Sequence, residues 1–545
     1  MRTKKTLAIL ALLMTLAMLL SACGKTEAPA PEQPAETQEA AAGEPAAETG
    51  ETGETAEEPA AAAGVSDETL RVVITGEPVN IMPLSAESGE GHWIDWVIYD
   101  RLVNYDSDTG ALVPGLAESW EWIDDTHIRF HLRQDAVAYD GSTITADDVM
   151  FSLQCGLSGD ANTQWSSVDG DECSVEDEYT VVIGLKEVYP SIVGKLSYVA
   201  LLTILDESSV EALGGYEAAI RNPKCTSGAY FFDEWKEGEY IRVVRNDNYW
   251  GEPGYYKTIE FTWIEDSTAR TMAVASGDSD VAVEIGSADL LAVDTYDNCK
   301  SYTVGGGGTN VIFFNTTNEY LSNAKVREAI AYAVDADYCT MVATNGTSPV
   351  ADSVIPSVSS YYKAPEAGYD RSVDIEKAKS LLTEAGYPDG FELYMPCVGP
   401  TAAVCEAVQA NLREIGITVN VEICEIPVFL GATDAGNFDL VVQPTFSDDI
   451  VNYTKYFDNR LELNARGGGI VGGDEALYPI IDRCKYSTDE ADNQAAWGEL
   501  QDFVRDNDLC VPLYETTIFY CMDGDYSYKY FSNGHINMAT LRPAA

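Results

Sequence analysis

Positive charge and histidine are scarce in this sequence. Across 545 residues, 33 Lys and Arg stand against 89 Asp and Glu, there are four His, and the formal net charge is −56. A protein that binds nucleic acid must neutralise phosphates with Lys and Arg, so this balance argues against nucleic acid as a partner. Hydrophobic residues nevertheless make up 46% of the chain. Such a composition excludes a wholly disordered protein, and the length predicts more than one folded domain.

The motifs of common enzyme classes are also missing. The sequence contains no GxSxG nucleophile elbow, no HExxH zinc motif and no kinase signature. The glycine run Gly305–Gly308 lacks the GK[ST] of a phosphate loop and leads into a strand-like segment, so we interpret it as a flexible connector. No spacing singles out a carboxylate pair of the glycosidase type. We therefore predict a protein that is not an enzyme and carries no cofactor.

Long apolar runs are absent except at the N-terminus. There the basic residues of segment 2–5 precede the uncharged run Leu7–Leu20. This run is shorter than the about 20 residues of a membrane-spanning helix and is typical of a signal peptide. The sequence of residues 20–24, Leu-Ser-Ala-Cys-Gly, resembles the bacterial lipoprotein box. The resemblance implies a signal peptide over residues 1–22 and lipidation of Cys23, and an ordinary signal peptide with an incidental Cys is the alternative.

Residues 23–66 are a low-complexity segment. They are rich in Ala, Glu, Pro, Thr and Gly, include ten Glu, and have no aromatic, Ile or Leu side chain. Such a segment cannot bury enough apolar surface to offset its ordering entropy, so it predicts a disordered acidic tether. We expect an exported protein, lipid-anchored on the outer face of the cytoplasmic membrane.

Cysteine and histidine spacings indicate no metal site. No CxxC pair occurs, and His127 and His131, which share one face of a predicted strand, have no third ligand nearby in the sequence. His92 is likewise a single histidine without a neighbouring partner. Export would permit disulfides, with Cys155–Cys173 and Cys397–Cys405 as the nearest pairs, and buried free thiols are the alternative.

Hydrophobic patterns predict a mixed α/β fold. Strand-like runs occur at 70–74, 128–132, 180–185, 240–245, 311–314, 418–423 and 438–442. An apolar stripe over Val326–Val334 predicts a helix, a second helix begins near Thr145 with a capping box, and a third is capped by Asp374. Strand 391–396, helix 402–415 and strand 417–423 predict a βαβ unit.

An ordered series of segments runs through the folded part of the chain. Its members are Leu112–Trp120, Thr126–Arg133, Tyr139–Val149, Gly228–Tyr230, Val244–Gly251, Phe314–Thr316 and Val326–Asp335. From about residue 70 to 525 this series resembles the family 5 extracellular solute-binding proteins, the oligopeptide, dipeptide and nickel binders of ABC importers.

The resemblance implies a two-lobed α/β fold of the periplasmic-binding-protein type. It would be the large form of type II, with an extra subdomain at about 111–224 in the first lobe. Lobe 1 would comprise 67–304 with 516–545, and lobe 2 would comprise 305–515. The crossings near Gly305–Asn310 and Leu513–Thr517 would form the hinge, where glycine tolerates changes of backbone angle.

The resemblance also implies capture of a small solute between the lobes and its delivery to a membrane permease. A peptide is the favoured solute, and the implied partners are ABC permease and ATPase subunits and, through the lipid anchor, the membrane. A sugar, a modified peptide or a metal chelate in the same role is the alternative, followed by a receptor that does not transport.

Two segments supply the candidate ligand-binding residues. The loop after the first strand, which faces the cleft in the family, contributes Ser85, Glu87, Ser88 and Trp93, and Trp93 has core packing as its alternative. Peptide-binding relatives place an aspartate after the strand predicted here at 438–442, where this chain has Phe446 or, in a shifted register, Asp448. The family's Trp and Asp-Pro are missing, which argues against recognition of a free α-ammonium group. The further candidates are Asn310, Thr445 and Tyr453.

Overall fold

The computed structural model describes residues 65–545 with short gaps. The gaps are 83, 85–88, 159–164, 198–201, 294, 368, 447–449, 462–468, 470–473 and 545. The predicted signal peptide, Cys23 and nearly all of the tether lie outside the described residues, as do the site candidates Ser85, Glu87, Ser88 and Asp448.

Strands and helices alternate through the described chain. The strands are β1 (Thr69–Ile74), β2 (Val103–Tyr105), β3 (Leu112–Pro114), β4 (Ala117–Asp124), β5 (His127–Leu132), β6 (Ser174–Asp177), β7 (Thr180–Gly184), β8 (Tyr230–Lys236), β9 (Tyr240–Arg245), β10 (Thr258–Trp263), β11 (Val281–Ala282), β12 (Lys300–Phe314), β13 (Glu392–Cys397), β14 (Thr418–Ile423), β15 (Leu440–Phe446), β16 (Cys510–Met522), β17 (Tyr526–Ser527) and β18 (Arg542–Pro543). The helices are α1 (His92–Ile98), α2 (Ala146–Ser158), α3 (Ile192–Lys195), α4 (Glu207–Leu213), α5 (Tyr216–Ala219), α6 (Ser267–Ala275), α7 (Ser287–Val293), α8 (Ala324–Ala333), α9 (Ala336–Thr344), α10 (Ile375–Glu384), α11 (Ala402–Glu414), α12 (Ile426–Asp434), α13 (Asn452–Lys455), α14 (Tyr478–Tyr486) and α15 (Glu490–Asp506).

Local signals in the sequence placed several of these elements correctly. The predicted βαβ unit is confirmed, because β13 and β14 are parallel neighbours with α11 between them. The predicted cap of α10 is confirmed as well, since a carboxylate oxygen of Asp374 accepts a hydrogen bond of 2.8 Å from the amide of Lys377. Gly386 follows that helix at φ +94°, a value that glycine tolerates best.

A mixed sheet of eight strands runs through the centre of the fold, in the order β15-β12-β16-β11-β1-β10-β9-β8. Its two longest members, β12 and β16, pair antiparallel from Lys300↔Met522 to Phe313↔Cys510. One half of this pair lies beside β11, and the other half lies beside β15. The two strands therefore pass from one part of the molecule into the other.

The buried apolar side chains form four clusters, which we group into two core regions by the stretches of sequence that supply them. One region draws on residues 70–304 together with 518–541 and is built around large side chains such as Trp93 and Phe261. The other draws on residues 311–514 and contains Phe314 and Trp497. Each stretch of sequence thus has a core of its own. No helix among the described residues has the length and apolar character needed to span a bilayer.

A separate antiparallel sheet, in the order β4-β5-β7-β6, packs with α2 in the first part of the chain. His127 and His131 lie four positions apart on the more exposed face of β5, as predicted. Each histidine lies near a carboxylate of β4: Nδ1 of His127 is 2.9 Å from Oδ1 of Asp124, and Nε2 of His131 is 3.9 Å from Oε1 of Glu121.

The glycine run lies inside the paired strand β12, so its interpretation as a flexible connector was wrong. Between the pairs Gly305↔Thr517 and Thr309↔Glu515, β12 contains two more residues than β16, which makes a bulge at this point. Close approach of neighbouring atoms explains glycine here: a Cβ on Gly306 would lie 2.6 Å from Oγ1 of Thr516. Glycine is required at Gly306 because a side chain would not fit, and not because the backbone adopts an unusual φ.

All eleven described cysteines are free thiols. The alternative of unpaired thiols, rather than the disulfides Cys155–Cys173 and Cys397–Cys405, is therefore the one that the structure supports. Cys397 and Cys405 are fully buried, and burial raises the pKa of the Cys405 thiol. A buried neutral thiol behaves as a small apolar side chain.

Candidate functional site

A cavity of about 560 Å³ lies between the two core regions. One wall comes from segments 105–112 and 190–197, and the opposite wall comes from segments 356–361, 450–453 and 490–494. Cavities of 300–1,000 Å³ are typical of small-molecule sites, often where two domains meet. Its place between two cores makes this cavity the candidate functional site.

Gly307 and Ser532 also line the cavity, next to the bulge of β12. The hydroxyl of Tyr453 donates a hydrogen bond of 2.7 Å to the carbonyl oxygen of Gly307. Tyr453 is only 3% exposed, and burial raises the pKa of its phenol, so the hydroxyl stays protonated and remains a donor. Among the predicted site residues whose side chains the structure describes, Tyr453 is the one that lines the cavity.

Glu515 positions one wall, although sequence reasoning did not select it. It is 5% exposed and lies in β16 beside the bulge. Its carboxylate accepts hydrogen bonds from Ser357, at 2.7 Å from the amide and 2.9 Å from the hydroxyl. Ser357 stands between Pro356 and Val358, which both line the cavity. An acidic residue inside the apolar run CVPLYETTIFYCM was the signal that could have identified it.

The lining is aromatic and polar with little charge. Tyr105, Tyr361 and Tyr453 contribute aromatic rings, while Lys195 and Glu490 are the charged side chains among the described lining residues. Those lining residues include no His, Cys or Asp. The cavity is therefore equipped to hold a polar organic molecule by stacking and hydrogen bonding.

Other predicted site residues lie away from the cavity or at its border. Trp93 is fully buried, with its ring centroid 5.1 Å from that of His535 and 6.2 Å from that of Tyr520, so its core alternative holds in this structure. Thr445 is also fully buried, and its hydroxyl accepts a 3.1 Å hydrogen bond from the amide of Thr309. Both side chains therefore make contacts that stabilise the fold.

Two more candidates lie near the bulge. Asn310 is 7% exposed and pairs with Pro444 on one side and Tyr514 on the other. Phe446 ends strand β15, where its backbone pairs with Gly308. The backbones of Asn310 and Phe446 thus lie close to Gly307, which lines the cavity.

Comparison with known proteins identifies the family. Residues 111–460 match the family model described as "Bacterial extracellular solute-binding proteins, family 5 Middle". The chain belongs to this family. Family 5 proteins are the substrate-binding components of ABC transporters, and solute-binding transport proteins of this kind are not enzymes.

Curated relatives of the family 5 chain bind different solutes. Heme-binding protein A of Haemophilus influenzae is 28% identical over 59% of this chain and 64% of that protein, so the match spans less than two thirds of that relative. The nickel-binding periplasmic protein of Escherichia coli is 28% identical over 81% of this chain and 88% of that protein. The dipeptide-binding protein of Escherichia coli is 25% identical over 71% of this chain and 78% of that protein.

Solved structures show the same fold. HbpA2 from Haemophilus parasuis superposes with a TM-score of 0.78 at 21% identity, covering 88% of this chain and 100% of that one. The periplasmic murein tripeptide binding protein MppA, in an unliganded open form, gives 0.77 at 19% identity and covers 89% of this chain and 99% of that one. The predicted α/β periplasmic-binding-protein-like fold of family 5 is thereby confirmed.

Proposed function

We propose that this family 5 protein is the extracytoplasmic substrate-binding lipoprotein of an ABC transporter and captures a peptide in the cavity between its core regions. It then delivers the peptide to a membrane permease for import, and a separate ATPase subunit supplies the energy. The observation that carries this proposal is the cavity of about 560 Å³ lined by both core regions. A molecule held by both walls binds the closed arrangement more tightly than an open one.

The proposed lobes are 67–304 with 516–545 and, between them, 305–515. This division is supported by the separate cores and by the long strands β12 and β16, which connect them. Closure would occur around 305–310 and 513–517, where the bulge interrupts regular pairing. The subdomain at about 111–224 would hold the four-stranded sheet of β4 to β7.

A peptide suits the lining for two reasons. Uncharged polar groups and tyrosine rings accept varied side chains, as a peptide binder requires. Lys195 lies on one wall and Glu490 on the other, so the two ends of a peptide could each meet an opposite charge. Glu490 would then replace the aspartate of the family's peptide binders. The relative described as a dipeptide-binding protein supports the same class.

A metal chelate is the second candidate solute. The nickel-binding relative, which matches over 81% of this chain, is the observation that favours it. Sugars and modified peptides use similar stacking contacts and belong in the same screen.

Export and anchoring are part of the proposal. Residues 1–22 would be removed, Cys23 would carry the lipid, and residues 23–66 would act as the tether. Mass spectrometry of the N-terminal peptide from membranes tests this directly. Cys23→Ala should abolish the lipid and release the protein from the membrane fraction, whereas an unmodified Cys23 in the mature protein would overturn the anchor.

Thermal unfolding with a panel of peptides, sugars and metal chelates tests the solute class. A ligand at 100 times its Kd should add about 2.7 kcal/mol to the free energy of unfolding. Small-angle scattering with the same ligand should show a smaller radius of gyration, because the lobes close. Stabilisation by chelates or sugars but by no peptide would contradict the peptide assignment.

Glu490→Gln separates the role of this charge from the general binding of a peptide. We expect about tenfold weaker binding of a peptide with a free amino terminus and unchanged binding of the same peptide after N-acetylation. Glu499→Gln, which removes a carboxylate from the same helix but outside the cavity, is the matched control. Equal effects of the two substitutions would rule out the proposed contact.

A further inference from the structure

Three potential metal ligands from distant parts of the sequence meet in one core region. One ligand atom from each of His92, Glu284 and His535 lies within 4.8 Å of the other two. The Nε2 atom of His535 is 3.2 Å from Oε1 of Glu284. None of the three residues lines the cavity between the walls. The cluster is therefore a feature separate from the proposed solute site.

The backbone at Glu284 is held in an unusual conformation. Glu284 has φ +49°, a region that non-glycine residues rarely adopt. The buried side chain of Arg270 fixes this segment by donating hydrogen bonds to the carbonyls of Val283, at 3.1 Å, and Glu284, at 2.7 Å. Strained residues persist where the surrounding structure enforces them, often at functional sites. In this protein the residue with the unusual φ is Glu284, whose carboxylate lies beside the imidazoles of His92 and His535.

Aromatic rings surround the two histidines. The centroid of Trp96 is 4.6 Å from that of His92 and 4.9 Å from that of His535, and Trp93 is at 5.2 and 5.1 Å. These rings limit the positions that the imidazoles can take. The side chains of His535 and Glu284 are nevertheless 18% and 33% exposed, so an ion from solvent can reach them.

The surroundings of the cluster include buried polar atoms that have no hydrogen-bond partner. Among the described residues, Nδ1 of His535 and Oε2 of Glu90 are buried without a hydrogen-bond partner. Glu90 is close enough for its charge to interact with those of Glu284 and His535. A cation in this neighbourhood would balance the two carboxylates.

We propose that His92, Glu284 and His535 form a binding site for a divalent transition-metal cation of the zinc, nickel and cobalt class. Two imidazoles and one carboxylate are a ligand set that zinc accepts with a fourth position left open for water. Tetrahedral ligands at 2.0–2.2 Å from zinc are about 3.4 Å apart, close to the separation of His535 and Glu284. The bound cation would draw the third donor inward.

The position of His535 connects this site with the bulge of β12. The carbonyl of Asn533, two residues earlier, accepts a 3.3 Å hydrogen bond from the amide of Gly307. A Cβ on Gly534 would lie 2.2 Å from the carbonyl oxygen of Gly305, so the loop packs directly on the glycine run. A cation that fixes His535 would stiffen this loop against the proposed hinge. The site holds its metal whatever solute the cavity takes.

Metal titration of the exported chain, freed of metal with a chelator, tests the site. Zn²⁺ or Ni²⁺ alone should bind with one equivalent in calorimetry, and Co²⁺ should give the visible absorption of a tetrahedral complex. His92→Gln and His535→Gln should each weaken binding by about tenfold or more, given that loss of even an outer-shell partner reduces metal affinity 10–100-fold. His131→Gln, an exposed histidine beside Glu121, is the matched control and should bind as the unmodified protein does.

Two results would overturn the proposal. One is the absence of saturable binding, and the other is equal binding by the unmodified protein and by both histidine variants, which would assign the metal to thiols or surface carboxylates. Circular dichroism without metal checks that the variants fold. If a histidine variant does not fold, Glu284→Gln takes its place with loss of the Co²⁺ absorption as the required outcome, and retention of that absorption rejects the site.

Discussion

The hydroxyl of Tyr453 donates a 2.7 Å hydrogen bond to the carbonyl oxygen of Gly307. Tyr453 belongs to the short helix α13 of the second core region, whereas Gly307 lies in the bulge of β12. The bond therefore joins one wall of the cavity to the strand that connects the two cores. Its geometry makes it the first contact to test.

Tyr453→Phe should lower the free energy of unfolding by about 1 kcal/mol. The substitution keeps the ring and removes the hydrogen bond to Gly307, and a typical protein hydrogen bond contributes that amount. Urea unfolding measures the change. Tyr338→Phe, at a position that is 50% exposed, is the control and should have no such effect. Equal stability of the two variants would show that the bond contributes nothing.

Gly306→Ala should destabilise the protein by about 1–3 kcal/mol, the usual penalty for an inserted methyl group that clashes. The new Cβ would lie 2.6 Å from Oγ1 and 3.1 Å from the carbonyl oxygen of Thr516. Thermal unfolding measures the loss. At Gly399 a Cβ would meet no atom within 4 Å, so Gly399→Ala should leave stability nearly unchanged. A harmless Gly306→Ala would mean that the bulge opens readily to admit a side chain.

Glu515→Ala should cost about 2–3 kcal/mol and weaken binding of any solute found in the screen. It leaves the amide and hydroxyl of Ser357 without their charged partner, and hydrogen bonds to charged groups contribute about 1.5–3 kcal/mol. The cavity wall at Pro356 and Val358 would then lose its support. A double-mutant cycle with Ser357→Ala measures the coupling. Strict additivity of the two substitutions would contradict this role.

Asp100 should make stability depend on pH. Burial raises the pKa of Asp100 to about 6, against the hydrogen bonds donated by Trp250 and Tyr249. An unfolded aspartate has a pKa of about 3.9, so folding favours the protonated form. Its stabilising contribution is complete below pH 4 and is lost as the pH rises through 6.

Asp100→Asn removes this titration. Relative to the unmodified protein, the variant should gain about 2 kcal/mol between pH 4 and pH 7, because this range covers most of the titration between the two pKa values. Urea unfolding across this range provides the measurement. Asp108→Asn, at a side chain that is 75% exposed, should show no comparable gain. A constant difference between unmodified protein and Asp100→Asn at all pH values would exclude the proposed linkage.

Much of the secondary structure could be predicted because its signals are local. The cap at Asp374, the apolar stripe of α8 and the β13–α11–β14 unit each depend on residues close together in the chain. The ordered series of family segments was sufficient to predict the solute-binding family, which the match over residues 111–460 confirms.

The candidate site was much harder to predict. Trp93 was selected as a ligand contact but packs into a core, while Glu515 was not selected although it supports a cavity wall. The glycine run was interpreted as a connector although it continues a strand. In each case the sequence shows which residue is present, but the surroundings of that residue depend on partners far away in the chain.

Local sequence signals were thus enough for several helices and strands, and the resemblance of the ordered segments was enough for the family of this protein. Only the tertiary structure placed His92 next to Glu284 and His535 and Tyr453 next to Gly307. It also formed one cavity between two walls. The physical reason is that short-range periodicity follows from backbone geometry. Contacts between residues distant in the sequence depend instead on sheet order, on the register of β12 with β16 and on the packing of separate cores.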